Sequence, residues 1–384
     1  MKRLLLAGGA IAACWHLGSV VGAFGSGYLM SGIYTQGWLS ERKTIDAIEV
    51  WSGRRVTLAG TFLNLQEHPS IVSDRLNHIW SARATPFVNI EVTVDPELRD
   101  GAARVASGEF DSAIEQMATM VKRWLDMGEG RSLLVAPFAE MNTANLWGCD
   151  PANFRVAYAR VVEIFANAGI QRGTQLRWVF APNGWSDSMC GYHEIAPYYP
   201  GSDLVDAIGI SSYNFGPKAT HEKRDHSAEF VLRFLQELYK FAPGKPYLLA
   251  QIGTSPVAGS TDSWLRDMVE ILVAHDNVLG FIYFNLDKRE QGPKEQDWRV
   301  FDVASGIAFA GFREVLQNKN VLYEWPLWSW FQGGDLESTF ALPPKIDERV
   351  GLQVPPPVPE FKIPELPWST PGRINIKPPD LSPP

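Results

Sequence analysis

Ser132-Leu-Leu-Val-Ala-Pro-Phe-Ala-Glu140-Met-Asn142 and, further along, Lys245-Pro-Tyr-Leu-Leu-Ala-Gln251-Ile-Gly-Thr-Ser255 decide the fold. Each is a short apolar run that ends in a polar residue and a turn. That is the pattern of a strand buried on both faces, as in a parallel sheet. Similar runs recur near Tyr28–Tyr34, Val56–Phe62, Pro86–Val92, Leu176–Ala181, Val205–Ser211 and Val278–Phe284. Between them lie segments of helical period. In Phe110–Met127, for example, Ile114, Met117, Met120, Val121 and Leu125 mark one face. Phe154–Ala168 follows Asp150-Pro151, a cap and first-turn pair. Strand and helix alternating through eight repeats predict an α/β fold, a (β/α)8 TIM barrel. A doubly wound sheet is the competing topology. It usually has a glycine-rich phosphate turn after its first strand, and none stands here.

A barrel gathers the C-terminal ends of its strands at one mouth. Glu140 and Gln251 both fall at such ends. Retaining cleavage of a glycosidic bond needs two carboxylates there, one as acid/base and one as nucleophile. An amide cannot ionise and is a poor nucleophile, so this pair lacks half of that chemistry. Other candidates are weaker. Glu91 ends the third strand and reads as a rim acid. His221 and His226 flank a charged loop, and His193-Glu194 lacks a third ligand, so no metal site is expected. No nucleophile elbow or phosphate loop occurs, and no cofactor is expected.

The 384 residues suffice for one large domain with a substantial core. A net charge of −8 argues against nucleic acid, which calls for a basic surface. Of the three cysteines, Cys149 and Cys190 follow neighbouring strands and would sit in loops on the same face. A disulfide between them fits an oxidising compartment.

Lys2 and Arg3 precede Leu4–Phe24, a stretch without Asp, Glu, Lys or Arg. It reads as a secretory signal ending near Val21-Gly-Ala23, as a lipoprotein signal with Cys14 as the lipidated residue, or as a retained transmembrane helix. All three put the bulk of the chain outside the cytoplasm, and the retained anchor is carried forward. After about Gln317 the character changes again. Tyr323–Phe331 is rich in aromatics. From Ala341 to Pro384 the chain holds 13 of its 27 prolines, which excludes helix and favours extended backbone. The expected organisation is an anchor or signal over 1–26, a barrel over 27–320, an aromatic connector over 321–340 and a proline-rich tail over 341–384.

The strand-end motifs, taken in order, resemble glycoside hydrolase family 26, the β-mannanase and β-glucanase family of (β/α)8 barrels. The resemblance runs from about Gly32 to Val300. It rests on Gly32-Ile-Tyr-Thr-Gln-Gly-Trp38, Gly108-Glu-Phe-Asp111, Pro137–Asn142 with Trp147-Gly148, and Arg177–Asn183. It continues through Tyr213-Asn214, Lys245–Thr254, and Phe284-Asn285 with Lys288 and Asp297-Trp298. It implies that Glu140 matches the acid/base, that Gln251 stands where the nucleophile would be, and that Tyr213 matches the residue orienting it. Trp147 matches a sugar-stacking residue, and Asn142, Trp185 and Trp298 join the implied saccharide contacts. The family usually carries an Arg and a His where Ala136 and Ala139 stand, and often an acid at the place of Ser211. The resulting expectation is a non-catalytic, membrane-anchored barrel on the periplasmic or extracytoplasmic side. It would serve as an accessory subunit of a larger membrane assembly (respiratory, photosynthetic or polysaccharide-exporting), contacting partner subunits through Leu4–Phe24 and the 341–384 tail. The alternatives are a carbohydrate-binding pseudo-enzyme and an active mannanase or glucanase with an atypical site.

Overall fold

A computed structural model describes residues 28–35, 40–94, 98–128, 130–143, 149–184, 195–216, 228–275, 277–290 and 297–323. The expected anchor Leu4–Phe24, Cys14, Trp147, Trp185, Cys190, His221, His226 and the proline-rich tail lie outside these residues. No helix among the described residues is long and apolar enough to cross a membrane. The chain divides into Met1–Phe340, which contains the barrel, and Ala341–Pro384.

Eight parallel strands form the barrel: β1 (Leu29–Tyr34), β2 (Leu58–Asn64), β3 (Thr85–Glu91), β4 (Leu133–Pro137), β5 (Leu176–Phe180), β6 (Ala207–Asn214), β7 (Tyr247–Thr254) and β8 (Val278–Phe284). They run in sequence order, and β1 closes on β8 from Met30↔Gly280 to Tyr34↔Phe284. Gly280 makes the closure possible. Its φ is +150°, and a Cβ there would lie 2.0 Å from the Met30 carbonyl oxygen. The crossovers carry α1 (Glu41–Ser52), α2 (Pro69–Ser81), α3 (Gly101–Ala106), α4 (Asp111–Asp126), α5 (Pro151–Asn167), α6 (Ala228–Phe241) and α7 (Thr261–Val273). Between β5 and β6 the described residues show only a 3₁₀ turn at Ala196–Tyr198. After a small hairpin of β9 (Phe301–Asp302) and β10 (Ile307–Ala308), α8 (Ala310–Gln317) leads into β11 (Val321–Leu322). This last strand pairs with the start of β1, so the sheet continues past the expected boundary at 320.

Each strand alternates between two cores. On β4, Leu133 and Val135 point outward to the helices, while Leu134 and Ala136 point into the barrel with Tyr34, Phe87, Val179 and Leu248. Helix α4 buries Ile114, Met117, Ala118, Val121, Trp124 and Leu125 against the outer core. Each large side chain so buried contributes about 1.5–3 kcal/mol. Met120, expected on that face, is only half-buried, and Trp124 is the larger contributor. Asp150 caps α5 as expected, accepting from the Asn153 N–H at 3.0 Å ahead of Pro151.

The Gly108-Glu-Phe-Asp111 segment opens α4 for a packing reason. Asp111 takes a bidentate contact from Arg160 of α5 at 2.5 Å. Gly108, at φ +90°, leaves room for that guanidinium, which a Cβ would approach to 2.4 Å.

Candidate active site

The C-terminal ends of β2, β3, β4, β6, β7 and β8 enclose a cavity of about 400 Å³. Its lining includes Phe62, Asn64, Asn89, Glu91, Thr93, Ala139, Glu140, Tyr213, Gln251, Phe284 and Lys288. Glu140 and Gln251 therefore share one chamber, as the reading of their strands requires.

Each reaches the chamber by a departure from regular strand geometry. After β4 the backbone turns through left-handed φ at Phe138 (+56°) and Glu140 (+61°). The Glu140 N–H donates to the Ala181 carbonyl at 2.8 Å. The Glu140 carbonyl accepts from the Thr143 N–H and hydroxyl at 3.1 and 2.8 Å. These bonds fix the turn that brings the side chain to the opening. On β7, Leu248 and Ala250 belong to the inner core and Leu249 and Ile252 to the outer one. Strict alternation would send Gln251 outward. The register against β8 slips between Leu249 and Ile252, and the irregularity swings Gln251 to the cavity instead.

Gln251 is 4% exposed, and its Oε1 accepts from the Tyr213 hydroxyl at 2.9 Å. Burial, and then the negative field of Glu140, push the Tyr213 phenol well above its ordinary pKa. It stays protonated and donates. The opposite end of the amide, Nε2, is a neutral donor where a carboxylate would accept. Beside it in the β6–β7 register, Ser211 is buried with its Oγ unpartnered.

Glu91 stands at the exposed end of β3 but within the concave wall. The loss of surrounding solvent raises its pKa. Lys288 pulls it down, and Glu140 and Glu67 push it up. Asn89 donates to the Tyr34 hydroxyl at 2.8 Å, while its own Oδ1 is buried without a partner, opposite Ala136 in the β3–β4 register. Tyr34, in turn, stacks on Phe62 and meets Phe284 at a tilt, with ring centroids 5.3 and 5.4 Å away. The loop carrying Lys288 is braced by Arg299, which contacts Asp297, Asp302 and Asp287 at 2.8–3.0 Å.

Other expected contacts fall elsewhere. Asn142 is fully buried, and its amide both donates to the Asn183 carbonyl (2.9 Å) and accepts from the Asn183 N–H (2.8 Å). It ties the end of β4 to the end of β5 rather than facing a ligand. Trp298 is 3% exposed, packed between Tyr213 and Phe215 with ring centroids 5.1 and 4.8 Å away, so it supports Tyr213 and offers no free sugar platform. Cys149 is disulfide-bonded; Cys190, its expected partner, lies outside the described residues, as do Trp147 and Trp185. No cluster of metal-ligating side chains occurs among the described residues. Asn64, Asn89, Thr93 and Lys288 line the chamber without having been assigned to it from sequence. Their shared signal is position, at or just past the C-terminal end of a strand.

The comparisons with known proteins agree with this architecture. The chain is 24% identical over 179 residues to the mannan endo-1,4-beta-mannosidase A and B of Caldalkalibacillus mannanilyticus, a match covering 41% of this chain. It spans 31% of that curated relative's length. No family model matches the sequence. Among solved structures, the GH26 domain of an endo-beta-mannanase/endo-beta-glucanase from Prevotella bryantii superposes with TM-score 0.54 at 15% identity, covering 77% of this chain and 91% of that one. GH26C from Muricauda sp. MAR_2010_75 gives TM-score 0.58 at 15% identity, covering 80% and 89%. A modular endo-beta-1,4-mannanase from Cellulomonas fimi gives 0.58 at 14%, covering 79% and 73%. The fold is a glycoside hydrolase family 26-like (β/α)8 barrel.

Proposed function

We propose that this chain is a glycosidase-like barrel that does not cleave by retention. Its mouth receives a β-linked saccharide, and the barrel serves outside the cytoplasm as a membrane-attached accessory protein. The observation that carries the reading is Gln251. At the position opposite Glu140 the chamber presents an amide, hydrogen-bonded by a protonated Tyr213, and an amide can neither form a glycosyl ester nor balance the charge of an oxocarbenium-like transition state. Ala139 in the same wall and Ala136 in the core beneath it stand where the family resemblance implies a His and an Arg. What remains suits holding a sugar: the aromatic faces of Phe62 and Phe284, with amide and charged groups at the rim. The membrane role rests on the apolar stretch Leu4–Phe24.

The mannan named for the relatives makes manno-oligosaccharides, with gluco-oligosaccharides beside them, the first ligands to titrate. Calorimetry is expected to show binding that weakens in Phe62→Ala, while reducing-sugar assays on mannan stay at background. Sugar release that disappears in Glu140→Ala would overturn the non-catalytic reading. Heat-silent titrations across the whole panel would remove the saccharide.

A further inference from the structure

The end of the barrel opposite the mouth carries an arc of positive charge beside the point where the chain enters the fold. On that end lie the turns that lead from each helix into the next strand. The turn before β11 and β1 holds Lys319, the turn before β2 holds Arg54, and the turn before β3 holds Arg83. These strands are neighbours in the order β11-β1-β2-β3, so the three cations follow one another along the rim. The β1 backbone starts there too, with the Leu29 N–H donating to the Asn320 carbonyl at 2.7 Å. Tyr323, the last described residue, lies under the Arg54 guanidinium at 3.9 Å.

Not every basic group on this end is available. Arg55 is buried among Glu49, Asp46 and the Ala82 carbonyl. On the far side of the rim, Arg172 is paired with Asp206 at 2.9 Å, and Lys245 donates to the carbonyls of Ser202 and Val205. Helix C-termini also point here, and their partial negative charge offsets some of the field. Lys319 and Arg83 nevertheless project into solvent. The Arg83 side chain is 60% exposed, with Glu49 as its acidic partner at 3.2 Å. The mouth is mixed in charge: Glu67 is paired with Arg75, Asp100 with Arg104 and Asp287 with Arg289 and Arg299, while Lys288 lines the cavity with Glu91 and Glu140.

We propose that this arc of Lys319, Arg54 and Arg83 docks the barrel on an anionic lipid surface, with the mouth turned away from the membrane. The inference rests on the anchor reading of Leu4–Phe24. From Phe24 to Tyr28 is four residues, a reach of at most about 14 Å when fully extended. Screening by salt acts over roughly 8 Å at physiological ionic strength. A barrel tethered so closely holds its basic rim within range of the headgroups. Each Lys or Arg brought to an anionic surface strengthens attachment about fivefold.

The test uses the full chain reconstituted into two kinds of vesicle, phosphatidylcholine alone and phosphatidylcholine with about one-third phosphatidylglycerol, read by flotation and amide hydrogen exchange. The chain should float with both through its anchor. Exchange over 53–57, 82–84 and 318–320 should slow at least tenfold in the anionic vesicles only. The slowing should vanish in high salt and in the triple variant Arg54→Gln, Arg83→Gln, Lys319→Gln, which still floats. Equal exchange in both vesicles, protection of the mouth loops instead, or a triple variant that stays protected overturns the docking face alone. A chain that floats with neither overturns the anchor reading and the docking face with it. Protection that requires native membranes and is absent with lipid assigns the arc to a protein partner and refutes the lipid.

Discussion

Replacing Gln251 with glutamate puts a carboxylate where the barrel now holds a neutral amide, and its cost can be worked from the surroundings. The position is 4% exposed, and among the described residues the chamber already holds Glu91 and Glu140 against Lys288. Burial by itself disfavours ionisation and raises the carboxyl pKa on the order of two units, or about 2.7 kcal/mol. A like charge at roughly 6 Å with an effective dielectric of 20 contributes a similar amount, about 2.8 kcal/mol. The Tyr213 hydroxyl still donates, and a bond to a charged acceptor returns about 1.5–3 kcal/mol. The net expectation is a loss of about 3 kcal/mol at neutral pH.

The sign fixes the pH window. A glutamate whose folded pKa is raised is protonated in both states at low pH, so the penalty is absent below about pH 4. It grows as pH rises through the unfolded value toward the folded one, and is constant above that. Urea unfolding of the wild type and Gln251→Glu at pH 4 and pH 7.5 measures it directly. Similar midpoints at both pH values, or a variant as stable as the wild type at pH 7.5, would refute the account of the chamber as a place hostile to a second carboxylate.

Three further outcomes follow from other contacts. Asn142→Ala removes both bonds that Asn142 makes to the buried Asn183 main chain and should cost about 2–4 kcal/mol in urea unfolding, with the slope unchanged. Asp111→Ala should cost about 1 kcal/mol at pH 7 and progressively less as pH falls below the ordinary aspartate range. The Arg160 contact holds the Asp111 pKa below its ordinary value, so its stabilisation exists above that value and is lost as pH falls; thermal melts across this pH range decide. Glu91→Gln should raise stability at pH 7 and leave it unchanged at pH 3, because burial and Glu140 penalise the ionised form. Solvent at this exposed position keeps the gain under about 1 kcal/mol.

The barrel was legible because its strands, five to eight residues long, are mostly apolar on both faces, as a parallel sheet covered by helices requires. Glu140 was legible as a polar residue just past a strand end; Gln251, expected at such an end, lies inside β7, three residues before Thr254. The chamber they share was readable only through the expected closure. Asn142 and Trp298 show where the reading stopped. A polar or aromatic residue at a strand end lines the opening or braces the wall beneath it according to side-chain direction, and adjacent residues differ in that. The swing of Gln251 is the same problem in sharper form, since the slipped register between Leu249 and Ile252 has no signature in composition or period. The basic rim was hidden for another reason. Lys319, Arg54 and Arg83 are far apart along the chain, and only the sheet order brings them side by side.

The turn at 138–140 bears on what the chamber is for. Two side-chain-bearing residues there sit in left-handed backbone, each at about 1–2 kcal/mol over the ordinary helical or extended choice. Glycine at either place would relax the loop, and at 140 it would delete the acid as well. The molecule thus keeps a small spring under tension whose visible product is one oxygen pair aimed at the opening. A carboxylate kept at the cavity at such a cost is the group on which the proposed saccharide binding would bear.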